Sequence, residues 1–100
     1  MTTPDNEIRD NILQYFYQIH TDGTGTFNGR ERGDVAVREI SMQTEIDRLT
    51  ISRNIEYLVK RNLINHIIIN ETSRDGTNIQ LTKHSYEISD EGINTIVAAK

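Results

Sequence analysis

Between Ile40 and Ile64 the apolar positions fall into two short helical stripes separated by an acidic turn. Ile40 and Ile46 bracket the first helix and its turn. Ile51, Ile55, Leu58 and Val59 then follow the i, i+4, i+7, i+8 spacing that lays one face of a second helix on a core. The opposite face carries Leu49, Arg53, Glu56 and Lys60, flanked by Thr50, Tyr57 and Arg61. Asp47 is a good N-cap, placed immediately before Arg48, and Asn62 is an acceptable left-handed stop. The pattern therefore predicts a helix over 48–62, preceded by a shorter one from about Arg38 to Glu45.

On the N-terminal side, Thr3 and Pro4 read as a helix start, with Asp5 and Glu7 complementing the helix dipole. This first helix is expected to reach about His20 with a core stripe of Ile8, Ile12, Tyr15, Phe16 and Ile19. Leu13 and Tyr17 form a second apolar pair turned away from that stripe. Two readings fit them: a helix wedged between other elements of the same monomer, or a dimer interface. Residues 21–34 hold four glycines without periodicity and read as a mobile loop, and Val35 to Val37 as a very short strand.

Beyond the second stripe, the isoleucine run within 65–72 suits a strand, and the Asp-Gly pair within 73–78 signals a hairpin turn. The returning strand, 79–88, changes phase between Leu81 and Tyr86, which predicts a bulge between Thr82 and Ser85. Ser89, Asp90 and Glu91 start a last helix whose buried stripe is expected to be Ile93, Ile96 and Val97. The order helix, short strand, helix, helix, strand, strand, helix gives an α+β class, mainly α. One hundred residues suit a single domain, 1–100.

Two stretches carry a family resemblance: IDRLTISRNIEYLVKRNLI at 46–64 and YEISDEGI at 86–93. The chain resembles the winged-helix DNA-binding domains of small bacterial and archaeal transcription regulators over nearly all of residues 5–98. The resemblance implies a helix-turn-helix at 38–62, a wing hairpin at 65–88 and a C-terminal helix at 89–99. It also implies sequence-specific binding of double-stranded DNA, with helix 48–62 in the major groove and residues 72–80 on the backbone or minor groove. The sequence departs from the family in having Asn62 where glycine is usual, and in its longer, glycine-rich loop 21–34.

Charge placement bears on that expectation. The net charge is −4, which speaks against indiscriminate coating of nucleic acid. Yet residues 48–83 carry six basic and three acidic side chains, against four and nine in residues 1–47. The candidate DNA contacts are Arg48, Leu49, Thr50, Ser52, Arg53 and Tyr57 on the helix, with Arg74, Asn78, Gln80 and Lys83 on the hairpin. Ser41, Gln43 and Thr44 are candidate phosphate donors. A two-fold operator would call for a homodimer, with Leu13 and Tyr17 at the contact. The alternative is a protein-docking module of the same fold, supported by the acidic total, the second apolar face of the first helix, and Tyr57 as an anchor for a protein partner.

The absence of cysteine removes disulfide and thiolate chemistry and fits a reducing cytoplasm. No apolar run suggests a membrane span, and the N-terminus has no signal-peptide pattern. Loop 21–34 lacks the Gly-Lys-Ser/Thr ending of a phosphate loop and the carboxylates of a calcium loop. His20, His66 and His84 lie in different elements without metal-pair spacing, although His66 and His84 can face each other across the hairpin. No catalytic, metal or cofactor constellation is expected.

Overall fold

The computed structural model describes residues 4–72 and 80–98. Four helices, α1 (Asp5–Asp22), α2 (Gly33–Thr44), α3 (Arg48–Lys60) and α4 (Asp90–Ala98), pack with a small antiparallel sheet of β1 (Glu31–Arg32), β2 (Ile64–Thr72) and β3 (Gln80–Ile88). The sheet order is β1-β3-β2. The core joins Ile8, Ile12, Leu13 and Phe16 of α1, Ala36 and Ile40 of α2, Ile51, Ile55 and Leu58 of α3, and Ile64, Ile88 and Ile96. All four helices and the base of the sheet thus share one apolar centre. No helix among the described residues is long and apolar enough to cross a membrane.

Local chemistry sets the element ends. Pro4, in extended conformation, is the N-cap of α1 rather than its first helical residue, and the expected cap Thr3 lies outside the described residues. The helix runs past His20 to Asp22, because Gly23 at φ 65° is the first residue free to adopt the left-handed stop. Asn62, at φ 62°, ends α3 as expected, with the Leu63 N–H reaching back to the Leu58 carbonyl at 3.0 Å. Ser89 starts α4: its Oγ accepts from the Gly92 N–H at 3.0 Å and donates to the Asn62 carbonyl at 2.6 Å, tying the end of α3 to the start of α4.

Four expectations are corrected. Val35, Ala36 and Val37 are not a strand but part of the first turns of α2. Ala36 and Ile40, one turn apart, are both buried, and that burial outweighs the β preference of the two valines. The short strand lies earlier, at Glu31–Arg32. Loop 21–34 is not featureless: Phe27 bridges Arg30, Thr26 Oγ1 bonds the buried Glu31 carboxylate, and β1 pairs Glu31 with Tyr86 and Arg32 with Ser85.

The expected bulge is absent, for β2 and β3 keep one register from Ile64↔Ile88 to Thr72↔Gln80. The phase change has another cause: the far half of the hairpin extends beyond the core, so Ile68 and Leu81 are 56% and 47% exposed and need not share a face with Ile88. Val97 is likewise 53% exposed, because Gly92 and Ile96 take the inward positions of α4.

Candidate functional site

The surface of α3 is prepared by the turn before it. Glu45 takes a left-handed conformation at φ 61°, Ser41 Oγ donates to the Ile46 carbonyl at 2.6 Å, and Thr44 Oγ1 donates to the Ile40 carbonyl at 2.6 Å. Asp47 then caps α3, accepting from the Thr50 N–H at 3.0 Å and from Thr50 Oγ1 at 2.7 Å. These bonds from Thr50 hold the exposed Asp47 carboxyl below its ordinary pKa. The helix N-terminus is therefore already occupied by an anion, and any recognition by α3 must use its side chains.

At about 100° per residue, the buried Ile51, Ile55 and Leu58 define the inner face of α3. Leu49, Arg53 and Lys60 point outward, and Leu49 is 60% exposed. Arg48 and Tyr57, nine positions apart, fall on opposite flanks.

The flank bearing Arg48 faces the sheet across a cleft of about 590 Å³, lined by Arg48, Ser52, Ile55 and Glu56 of α3, by Arg32, Gly33, Asp34 and Val37, and by Thr82, Lys83, His84 and Tyr86 of β3. Tyr86 closes it from below, against Gly33. A methyl group there would lie 2.7 Å from the ring. Burial, with the nearby Glu56 carboxylate, raises the Tyr86 hydroxyl pKa. His66 Nε2 and His84 Nδ1 lie 2.9 Å apart on the same face of the hairpin, and the His66 ring lies 4.7 Å from that of Tyr86. The two histidines do face each other.

The other flank belongs to α1. The Arg9 guanidinium lies 3.6 Å from the Tyr57 ring centroid, and that of Arg61 lies 5.1 Å from it. Arg9 Nε also donates to Oδ1 of the buried Asn54 at 3.0 Å, and Asn54 Nδ2 donates to the Thr50 carbonyl at 2.9 Å. Ion pairing is sparse throughout: among the described residues the salt bridges are Arg30–Glu87 at 3.1 Å and Arg32–Asp34 at 3.3 Å. Arg9, Arg48, Arg53, Lys60 and Arg61 pair with no described carboxylate.

Of the residues singled out from sequence, Arg48, Leu49, Ser52 and Arg53 stand exposed on α3, and Lys83 joins Arg48 and Ser52 at the cleft. Arg74 and Asn78 lie outside the described residues, as does the side chain of Gln80. Several assignments change. The Thr50 hydroxyl is committed to the Asp47 cap, the Ser41 hydroxyl donates to the Ile46 carbonyl of the turn and the Thr44 hydroxyl to the Ile40 carbonyl of α2, so none of the three is a free donor. Gln43 lines a recess against α1. Tyr57 is half-buried against the core on the α1 flank, not on the outward face. Leu13, only 5% exposed, sits in the core of the monomer, which favours the intramolecular reading for that residue, and Tyr17 is half-buried against the core.

The sequence reading missed Arg9 and Arg32. Both lie in the acidic half of the chain, where summed charge concealed them. Among the described residues no group of three or more His, Asp or Glu converges as a metal site. Comparison with protein-family models, curated proteins and solved structures gives no significant match for this chain.

Proposed function

We propose that this chain is a winged-helix domain that binds double-stranded DNA as a small cytoplasmic transcription regulator. The observation that carries the reading is the set of cations Arg48, Arg53 and Lys60 on α3 with Arg61 at its C-cap, none paired with a described carboxylate in a chain of net charge −4. Intramolecular pairing would be the ordinary fate of such side chains in an acidic protein. Leaving them unpaired on one projecting helix suits a polyanionic partner. Helix α3 enters the major groove, Arg53 reads guanine O6 and N7, and Leu49 meets a thymine methyl. Arg48, Ser52 and Lys83 hold phosphates along the cleft, with the hairpin β2–β3 as the wing over the backbone.

Of the three supports for the competing protein-docking reading, the acidic total charge stands and the other two are weakened. Those two were an apolar face at Leu13 and Tyr17, now within the packed monomer, and Tyr57 as an exposed anchor, now beneath Arg9. The test is equilibrium binding to duplex DNA over a range of salt. The proposal expects log K to fall linearly with log salt, by about 0.9 for each phosphate neutralised. Salt-independent or absent binding would return the choice to a docking module.

A further inference from the structure

We infer that Arg9 of α1 and Arg61 at the C-cap of α3 form a second phosphate clamp, which grips the DNA strand on the side of α3 away from the wing. The inference rests on the DNA reading and adds to it a contact surface on a helix outside the helix-turn-helix. Its basis is the placement of the Arg9 guanidinium, held 3.6 Å from the Tyr57 ring centroid and bonded through Nε to Asn54. Stacking and that one bond fix the fork, while its two terminal nitrogens have no hydrogen-bond partner among the described residues. A planar guanidinium held this way, with two parallel donors free, matches the bidentate geometry of a phosphate. Arg61 approaches the same ring at 5.1 Å, so the two cations share one patch.

Two like charges on one aromatic ring, with no described carboxylate paired to either, repel each other unless an anion is shared between them. Their direction matters as much as their charge. Arg48 and Tyr57 lie on opposite flanks of α3, and an α-helix, about 10–12 Å across, nearly fills a major groove about 12 Å wide. With the Arg48 flank and Lys83 against one phosphate wall, the Tyr57 flank meets the other. Arg9 and Arg61 then touch phosphates and no base edge, adding affinity without sequence preference.

The experiment compares the intact chain with Arg9→Gln, Arg61→Gln and Arg9→Lys, measuring affinity for a preferred duplex and for a scrambled one as salt is varied, with a thermal melt of each variant. Each glutamine variant is expected to flatten the salt slope by about 0.9 and weaken binding about five-fold near 0.15 M salt, equally for both duplexes. Arg9→Lys, which keeps the charge but not the fork, restores the slope. An unchanged slope in both glutamine variants overturns the clamp while leaving the DNA reading standing. So does an Arg9→Lys variant whose salt slope is as flat as that of Arg9→Gln, which marks Arg9 as a packing residue. Absence of duplex binding by the intact chain overturns the DNA reading and the clamp together.

Discussion

Arg9 and Tyr57, 48 positions apart in sequence, are in face contact at 3.6 Å, and this contact fastens the first turns of α1 to the last turn of α3. Only the ring is used. Tyr57→Phe should therefore keep stability, whereas Tyr57→Leu should lower it by about 1 kcal/mol, the scale of a partly exposed cation–π contact. Chemical denaturation of the two variants checks this, and equal losses would show that the hydroxyl or the overall shape matters instead.

Glu56 is the one carboxylate on the cleft edge of α3, exposed and without a described ion pair. In a major groove it repels phosphate but can accept from cytosine N4. Glu56→Gln should thus strengthen binding to scrambled duplex and narrow the gap to a preferred one, as competition binding would measure. A wider gap would place Glu56 away from the bases.

Gly92 supports the joint between α3 and α4 by having no side chain. A Cβ there would lie 2.3 Å from the Leu63 carbonyl oxygen and 2.7 Å from Ile88 Cγ1. Backbone must move to admit even alanine, so Gly92→Ala should cost at least about 1–3 kcal/mol in a thermal melt, the range for overpacking. An unshifted midpoint would mean that α4 is not docked as described.

Leu13 separates the two roles considered for it. Because it lies in the core, Leu13→Ala should destabilise the fold by about 2–5 kcal/mol. Light scattering should show no change of mass among molecules that remain folded. A folded variant of halved mass would restore the dimer-interface reading.

Asp47 gives the acid limb of stability. Its pKa is lowered in the fold, first by the hydrogen bond from the Thr50 side chain and then by that from the Thr50 backbone. The stabilisation is therefore present above the unfolded-state value of about 3.9 and lost as pH falls through the lower folded-state value. The melting midpoint of the intact chain should fall below about pH 4 more steeply than that of Asp47→Asn. Parallel curves would contradict the cap.

What was legible in the sequence was local. Asp47 before Arg48, Asn62 at the end of α3 and Ser89 before α4 act on backbone groups a few residues away, so spacing alone identifies them. What was not legible depends on distant partners. The order in loop 21–34 comes from Arg30 reaching Glu87 and from Glu31 pairing with Tyr86, contacts spanning more than 50 residues. Leu13 looked superfluous because a helical wheel does not show how many neighbours surround a helix. Arg9 was hidden by the acidic residues around it in sequence and by its partners, Tyr57 and Asn54, lying on another element.

Whether the outward face of α3 reads duplex DNA is decided by sequencing the duplexes retained from a random pool at near-physiological salt. A reading α3 enriches a motif whose guanine preference is relaxed by Arg53→Ala at one position, with total retention only modestly reduced. A pool that emerges without enrichment, or an identical motif from the Arg53→Ala variant, would contradict reading by α3.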